Sequence, residues 1–277
     1  MFRKIVVGFA ILLLATAGFS LSAQAQESNT VILATTTSVR DTGLLDVLVE
    51  KFQKNTGLTV KSIAVGSGQA MQMGKQGEAD ILWVHSPDDE IQFVNEGYGT
   101  DRVTFAHNDF VVLGPKDDPA KIKGIQKAAD AFKKITESGV LFISRGDNSG
   151  THKKELKLWK AAGIQPDKKN YIEAGQGMAP TVTMANEKQA YVLADRSTYL
   201  SLKKAISLEI LCEGDDALLN KYSLILVNPA KFPKVNTKGA RSFYDFILSK
   251  EVKDIMENFG KEKFGAQLFF YDYNPTK

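Results

Sequence analysis

Val140-Leu141-Phe142-Ile143-Ser144-Arg145-Gly146-Asp147-Asn148-Ser149-Gly150-Thr151-His152-Lys153-Lys154-Glu155-Leu156-Lys157-Leu158-Trp159 runs from an apolar stretch, through a small polar loop, into a helix-like segment. The spacing predicts a strand over 140–143 and a helix opening after Ser149. Such a junction gathers free backbone N–H groups and the positive end of a helix dipole at one point. Arg145 adds a planar fork of donors, and Ser149 and Thr151 add hydroxyls. Apart from Asp147, everything in the loop suits an anion with several oxygens. Asp147 is expected to orient Arg145 or to cap a turn, because its own charge would repel such a ligand.

Two earlier stretches share this design. Val31-Ile32-Leu33-Ala34 reads as a short buried strand and leads into Thr35-Thr36-Thr37-Ser38, where four hydroxyl residues suit caps and anion donors better than a strand or helix interior. A helix over 43–55 follows, with Leu44, Leu45, Leu48, Val49 and Phe52 at helical spacing. Leu58 to Val65 reads as a strand ended by Gly66-Ser67-Gly68, with a helical segment to Gln76 and a third strand over 79–84. Ser86-Pro87-Asp88-Asp89 has a cap, a first-position proline and first-turn acids. This alternation argues for α/β architecture.

Asp109 to Gly114 reads as a strand stopped by Pro115, and Tyr222 to Val227 as a strand stopped at Asn228-Pro229. These are the expected crossings between two lobes, the first formed by 28–112 plus 223–277 and the second by 113–222. The second lobe would hold a helical 122–138, the quoted strand and helix, and 171–199. Helices over 239–248 and 251–259 would close the first lobe. Ligands of open α/β sheets sit beyond the carboxyl ends of strands, so an inter-lobe cleft would converge the three loops.

Residues 1–25 read as a secretory leader: Arg3 and Lys4, an apolar run from Ile5 to Leu14, and the small-x-small site Ala23-Gln24-Ala25. The expectation is a soluble, exported protein. The single cysteine, Cys212, is far from the cleavage point, so no lipid anchor is expected there, and it reads as a small buried side chain. Of 35 Lys and Arg, two lie in the leader, which leaves 33 against 32 Asp and Glu. This near-neutral balance gives no reason to expect nucleic acid or an acidic membrane surface as partner.

Catalytic signals are weak. His85, His107 and His152 show no metal-binding spacing, and Asp88-Asp89 and Asp117-Asp118 read as helix starts and turns. His152 is expected to be an exposed first-turn residue. Trp83 and Trp159 fit core positions, Trp159 sharing a helix face with Leu156, so no sugar-stacking platform is expected. No Gly-x-x-x-x-Gly-Lys-Ser/Thr loop occurs. An oxyanion-processing enzyme is the alternative from another class.

Thr35 to Ser38, Gly66 to Gly68, Ser144 to Lys154, Gly175-Gln176-Gly177-Met178 and Asp195-Arg196 together resemble type II periplasmic substrate-binding proteins of ABC transporters, most closely the tungstate-binding group. The resemblance spans essentially all of the chain after the leader. It implies a two-lobe fold, each lobe a mixed sheet flanked by helices, with the ligand in the cleft. It implies capture of tungstate or molybdate by hinge closure, a periplasmic monomer, no cofactor, and permease and ATPase partners on separate chains. Sulfate and phosphate receptors are the alternatives, since Arg-x-x-x-Ser-Gly-Thr also resembles phosphate-binding relatives. By resemblance and geometry, the ligand-binding residues are Thr36, Thr37, Ser38, Ser67, Gly68, Arg145, Ser149, Gly150 and Thr151, with Gly177 to Thr181 and Arg196 as further lining. Phosphate at neutral pH keeps a proton and favours an acceptor carboxylate. The resemblance implies that phosphate-binding relatives supply such an acid near the end of a first-lobe strand; the comparable place here reads Val84-His85-Ser86-Pro87, with no acid until Asp88, so a donor-only site for a fully deprotonated dianion is expected. An unpartnered buried donor or acceptor costs about 1–3 kcal/mol, enough to separate protonation states.

Overall fold

The computed structural model describes residues 29–274, so the expected leader lies outside the described residues. The first lobe opens with strand β1 (Thr30–Thr36), helices α1 (Thr37–Asp41) and α2 (Leu44–Thr56), and strand β2 (Thr59–Val65). Helix α3 (Ser67–Gln76), strand β3 (Ile81–Val84) and helix α4 (Pro87–Asn95) follow. The long strand β4 (Gly99–Gly114) leads out of this lobe. The second lobe adds helix α5 (Ala128–Glu137), strand β5 (Phe142–Ser144), helix α6 (Gly150–Ala161) and strand β6 (Tyr171–Glu173). It continues with helix α7 (Met178–Glu187), strand β7 (Tyr191–Asp195), helix α8 (Arg196–Leu202) and strand β8 (Glu209–Cys212). Strand β9 (Leu219–Val227) returns, and helices α9 (Thr237–Ile247), α10 (Lys250–Asn258) and α11 (Lys261–Phe264) with strand β10 (Phe270–Tyr271) finish the first lobe.

The strands are ordered β2-β1-β3-β9-β4-β7-β5-β6, with β8 and β10 also paired to β4. β1, β2 and β3 run parallel, whereas β9 and β4 are antiparallel to their neighbours. β4 belongs to both halves: Gly99 to Asp109 pair with β9, and Phe110 to Leu113 pair with β7. Asp109 sits opposite Leu219, the first residue of β9. The lobes are therefore joined at one rung by two neighbouring strands, and the expected boundaries of 112/113 and 222/223 fall within β4 and β9.

Successive residues of each central strand feed opposite cores, as the period of two requires. In the first lobe Leu33 and Trp83 face a cluster with Leu48, Phe52 and Phe243, while Ala34 and Leu82 face Phe93 and Ile225. In the second, Val112, Phe142 and Leu193 pack with Trp159, while Val111, Ile143 and Val192 pack with Val182. Both faces of each sheet are thus covered, which explains why short strands such as β3 are apolar throughout. Cys212 is buried, and burial pushes its thiol up to about 11. No helix among the described residues is long and apolar enough to cross a membrane.

Candidate anion-binding site

Three strands end and three helices begin at one place. Thr36 caps α1, Gly66 caps α3 and Ser149 caps α6, all with extended backbone. Thr36, Thr37, Ser67, Arg145, Ser149, Gly150 and Thr151 line one small cavity between the lobes, together with Val65, Gly66 and His85. N–H groups and helix dipoles therefore converge from both lobes on a single volume. Gly68 is not in this wall; it lines a neighbouring groove with Met71 and Lys153. Ser38 lies in α1, and its side chain is outside what the structure describes. Thr35 is spent elsewhere, its hydroxyl donating to the Trp83 carbonyl at 2.9 Å.

Arg145 is buried, and its Nη2 donates to Asp147 Oδ2 at 2.5 Å. Asp147 also accepts from the Ser149 N–H at 3.1 Å, so it orients the arginine and caps the turn, as its charge required. Burial would raise the Asp147 carboxyl, but the bonds to Ser149 and the nearby Arg145 outweigh it and hold the group below its usual range. Two buried donors in the cavity wall, Ser67 Oγ and Arg145 Nε, have no partner among the described residues. An unmatched buried donor costs about 1–3 kcal/mol, so both are poised for an acceptor from a ligand.

His152 is buried against expectation. Its Nδ1 accepts from the Asn148 N–H at 3.0 Å, and its own N–H donates to Ser149 Oγ at 3.3 Å. The side chain folds back to hold a loop in which Asn148 and Gly146 both take positive φ, 58° and 59°. Gly146 cannot be replaced freely, since a Cβ there would lie 2.5 Å from Glu173 Cβ.

Behind the loop sits Glu155, which sequence reasoning did not single out. It accepts from Tyr171 Oη at 2.6 Å and Trp159 Nε1 at 3.1 Å. The nearby Ser144 hydroxyl works against the effect of burial on this carboxyl, and its oxygen takes the Gly146 N–H at 3.1 Å. Burial pushes the Glu155 carboxyl up to about 7. A folded-state value above the unfolded one stabilises the protein fully below about pH 4.5 and loses that stabilisation as pH rises through 7. The stability of the wild type relative to Glu155→Gln is therefore expected to fall between about pH 4.5 and 7 and to level off above, at up to about 1.4 kcal/mol per pH unit. Urea unfolding of both proteins across that range checks it, and parallel curves would rule the buried acid out.

His85, at the end of β3, is the other unanticipated wall residue. Burial first, then Arg145, with a smaller push from Lys154, lowers it to about 4 against a hydrogen bond to Asn220, so the ring is neutral at pH 7. It meets the second lobe at Gly150, where an added Cβ would lie 2.4 Å from His85 Cε1. Further cross-lobe contacts are the ion pairs Lys153–Asp89 and Lys157–Asp88, both at 2.6 Å. Exposed pairs of this kind contribute about 0–1 kcal/mol each.

Arg145, Thr37, Met178, Ala179, Ser197 and Thr198 line an adjoining cavity of about 200 Å³. Arg196 is committed to Asp109 by two bonds, at 2.8 and 2.5 Å, and to Glu213 at 2.6 Å. It braces the crossing between lobes.

A model of the PBP superfamily domain matches residues 23–251. The tungstate-binding protein TupA of Peptoclostridium acidaminophilum is 50% identical over 246 residues, covering 88% of this chain and 86% of its own. The solved structure of the tungstate-binding protein TupA from Desulfovibrio alaskensis G20 is 42% identical, covers 88% of this chain and 99% of its own, and superposes with a TM-score of 0.78. That of the tungstate ABC transporter from Geobacter sulfurreducens is 45% identical, covers 83% and 98%, and gives 0.75.

Proposed function

This chain belongs to the PBP superfamily, and from that premise we propose that it is the tungstate-binding component of an ABC transporter, capturing the anion between its lobes and delivering it to a membrane permease. The observation that carries this reading is the meeting of three helix starts, Arg145 and the unmatched Ser67 hydroxyl on one cavity. A tetrahedral oxyanion offers acceptor oxygens in several directions, and this wall offers donors from both lobes. A ligand that touches both lobes favours the form in which they meet, so binding shifts the population toward closure. Permease and ATPase are separate chains under this reading, residues 1–25 direct export to the periplasm, and the protein acts as a monomer without a cofactor.

The relatives named above are binding and transport proteins, which supports a role that ends at capture and release. The proposed ligand contacts are Thr36, Thr37, Ser38, Ser67, Gly68, Arg145, Ser149, Gly150 and Thr151; for Gly68 the contact would be its backbone N–H. Molybdate, of nearly the same size and charge, is the natural competitor. Calorimetric titration of the ligand-stripped protein at pH 7.5 is expected to give tight tungstate binding, with sulfate and phosphate at least about 100-fold weaker, the equivalent of about 2.7 kcal/mol. Preferred binding of phosphate or sulfate, or of no oxyanion, would overturn the reading.

A further inference from the structure

The charge balance of the cleft contains a gap. Among the described residues Arg145 is the one formal cation in the cavity wall, and it is already paired with Asp147 at 2.5 Å. Against the two charges of a dianion enclosed there, three helix ends worth about half a unit each offset about one and a half at most, so part of the charge stays uncompensated. His85 is the remaining wall residue able to supply a positive charge.

The ring of His85 is set for this. Asn220 gives its Nδ2 hydrogens to Asn108 Oδ1 at 2.8 Å and Tyr222 Oη at 2.9 Å. Its Oδ1 is therefore left to accept from the imidazole, consistent with a bond that favours the charged ring. The hydrogen of the neutral ring then lies on the nitrogen turned to Asn220. The Nδ1–Cε1 edge is turned to Gly150, at the start of α6. Nδ1 of the neutral ring is accordingly an acceptor in a wall of donors. It cannot serve a fully deprotonated oxyanion until it gains a proton.

We propose that binding of a dianionic oxyanion in this cleft is coupled to uptake of one proton on Nδ1 of His85, so that the ligand is held by an imidazolium as well as by Arg145. This deepens the tungstate reading and rests on it. An N–H bond forms at Nδ1 with a proton drawn from the buffer acid, and no bond of the anion breaks. Two cations, Arg145 before α6 and Lys154 on α6, act on the ring, and Ser67 on α3 and Asn220 and Tyr222 on β9 stand around it; a cavity of about 450 Å³ that His85 and Gly150 also line brings in Asp88 and Asp89 on α4, Lys153 and Lys157 on α6, and Asp216 and Lys221. The two cations resist the proton while the cleft holds no anion. The dianion reverses that balance, because it sits among the same groups with opposite sign. A phosphate monoanion or dianion differs from tungstate here: it brings its own proton, which can be donated to neutral Nδ1. The ring therefore sets how protonated and unprotonated oxyanions are ranked as pH changes.

The sign follows from linkage. Affinity for tungstate rises as pH falls, by up to about tenfold per unit between the pKa of the free ring and that of the complex. The test is calorimetric titration of the ligand-stripped protein with sodium tungstate from pH 6.5 to 8.5, each in two buffers of different ionisation enthalpy. Proton uptake approaching one per tungstate at pH 6.5, with weakening affinity toward pH 8.5, is the expected result. His85→Gln should still bind, with no uptake and a flat pH profile. If that variant does not fold, the ¹⁵N shift of His85 Nδ1 in the wild type, with and without tungstate, locates the proton. Tight tungstate binding with no proton uptake, uptake that persists in His85→Gln, or an unchanged Nδ1 shift would each overturn the coupling while leaving the transport reading intact. Absence of any tungstate binding would overturn both.

Discussion

Arg145→Ala is expected to weaken tungstate binding by about 2–5 kcal/mol, roughly 30-fold to several thousand-fold in Kd. The size follows from burial. Arg145 is about 5% exposed, and its Nε has no partner among the described residues. Truncation removes both the cation and a buried donor of a residue in the cavity wall. It also releases Asp147 from its pair and leaves a carboxylate beside the anion. The double variant Arg145→Ala/Asp147→Asn should therefore recover part of the loss, since the repulsive charge goes with the cation. Arg145→Lys should not restore binding fully, because an ammonium lacks the planar fork that bonds Asp147 and the ligand together. Titration of the three variants checks the order; a single variant within threefold of the wild type would remove Arg145 from the site.

Gly150→Ala should lower affinity by about 1–3 kcal/mol, roughly 5- to 150-fold, through crowding alone. Gly150 opens α6, and its backbone is not in the left-handed region, so alanine suits the helix itself. Its added Cβ would lie 2.4 Å from His85 Cε1, 2.8 Å from Nδ1 and 3.2 Å from Ser67 Oγ, all in the other lobe. The clash exists only where the lobes meet. The ligand-free variant should keep its melting temperature yet fail to contract in small-angle scattering when tungstate is added. A variant that contracts and binds like the wild type would show that the lobes can settle without this contact.

The three loops were legible in the sequence because each is a local event, a strand end followed by hydroxyls or glycine at a helix start. Trp83 and Trp159 were legible as core for the same reason. The missed residues depend on contacts between distant segments. His85 acquires its role from β9 and α6, neither of which its neighbours in sequence reveal. Gly150 was read as a donor, and its closeness to the other lobe left no local mark. Glu155 and Leu156 show why periodicity ran out. Trp159 lies four residues after one and three after the other, so either could share its face. The structure buries the glutamate and leaves Leu156 46% exposed, because Tyr171 and Trp159 offer the carboxyl partners. His152, expected in solvent as a first-turn residue, is instead drawn into the loop by Asn148. The short strands β8 and β10 carry too few residues to show a period.

The crossing at Asp109 and Leu219 has a mechanical consequence. Two antiparallel strands bonded side by side bend and twist readily but resist sliding past one another, because sliding breaks their ladder. Arg196 clamps one of them to α8 at the crossing itself. The relative motion of the lobes is thereby reduced to something near a single angle. Every point on the outer rim then moves as a known function of that angle. A partner touching both rims reads, from outside, whether the cargo compartment is shut, without contacting the cargo.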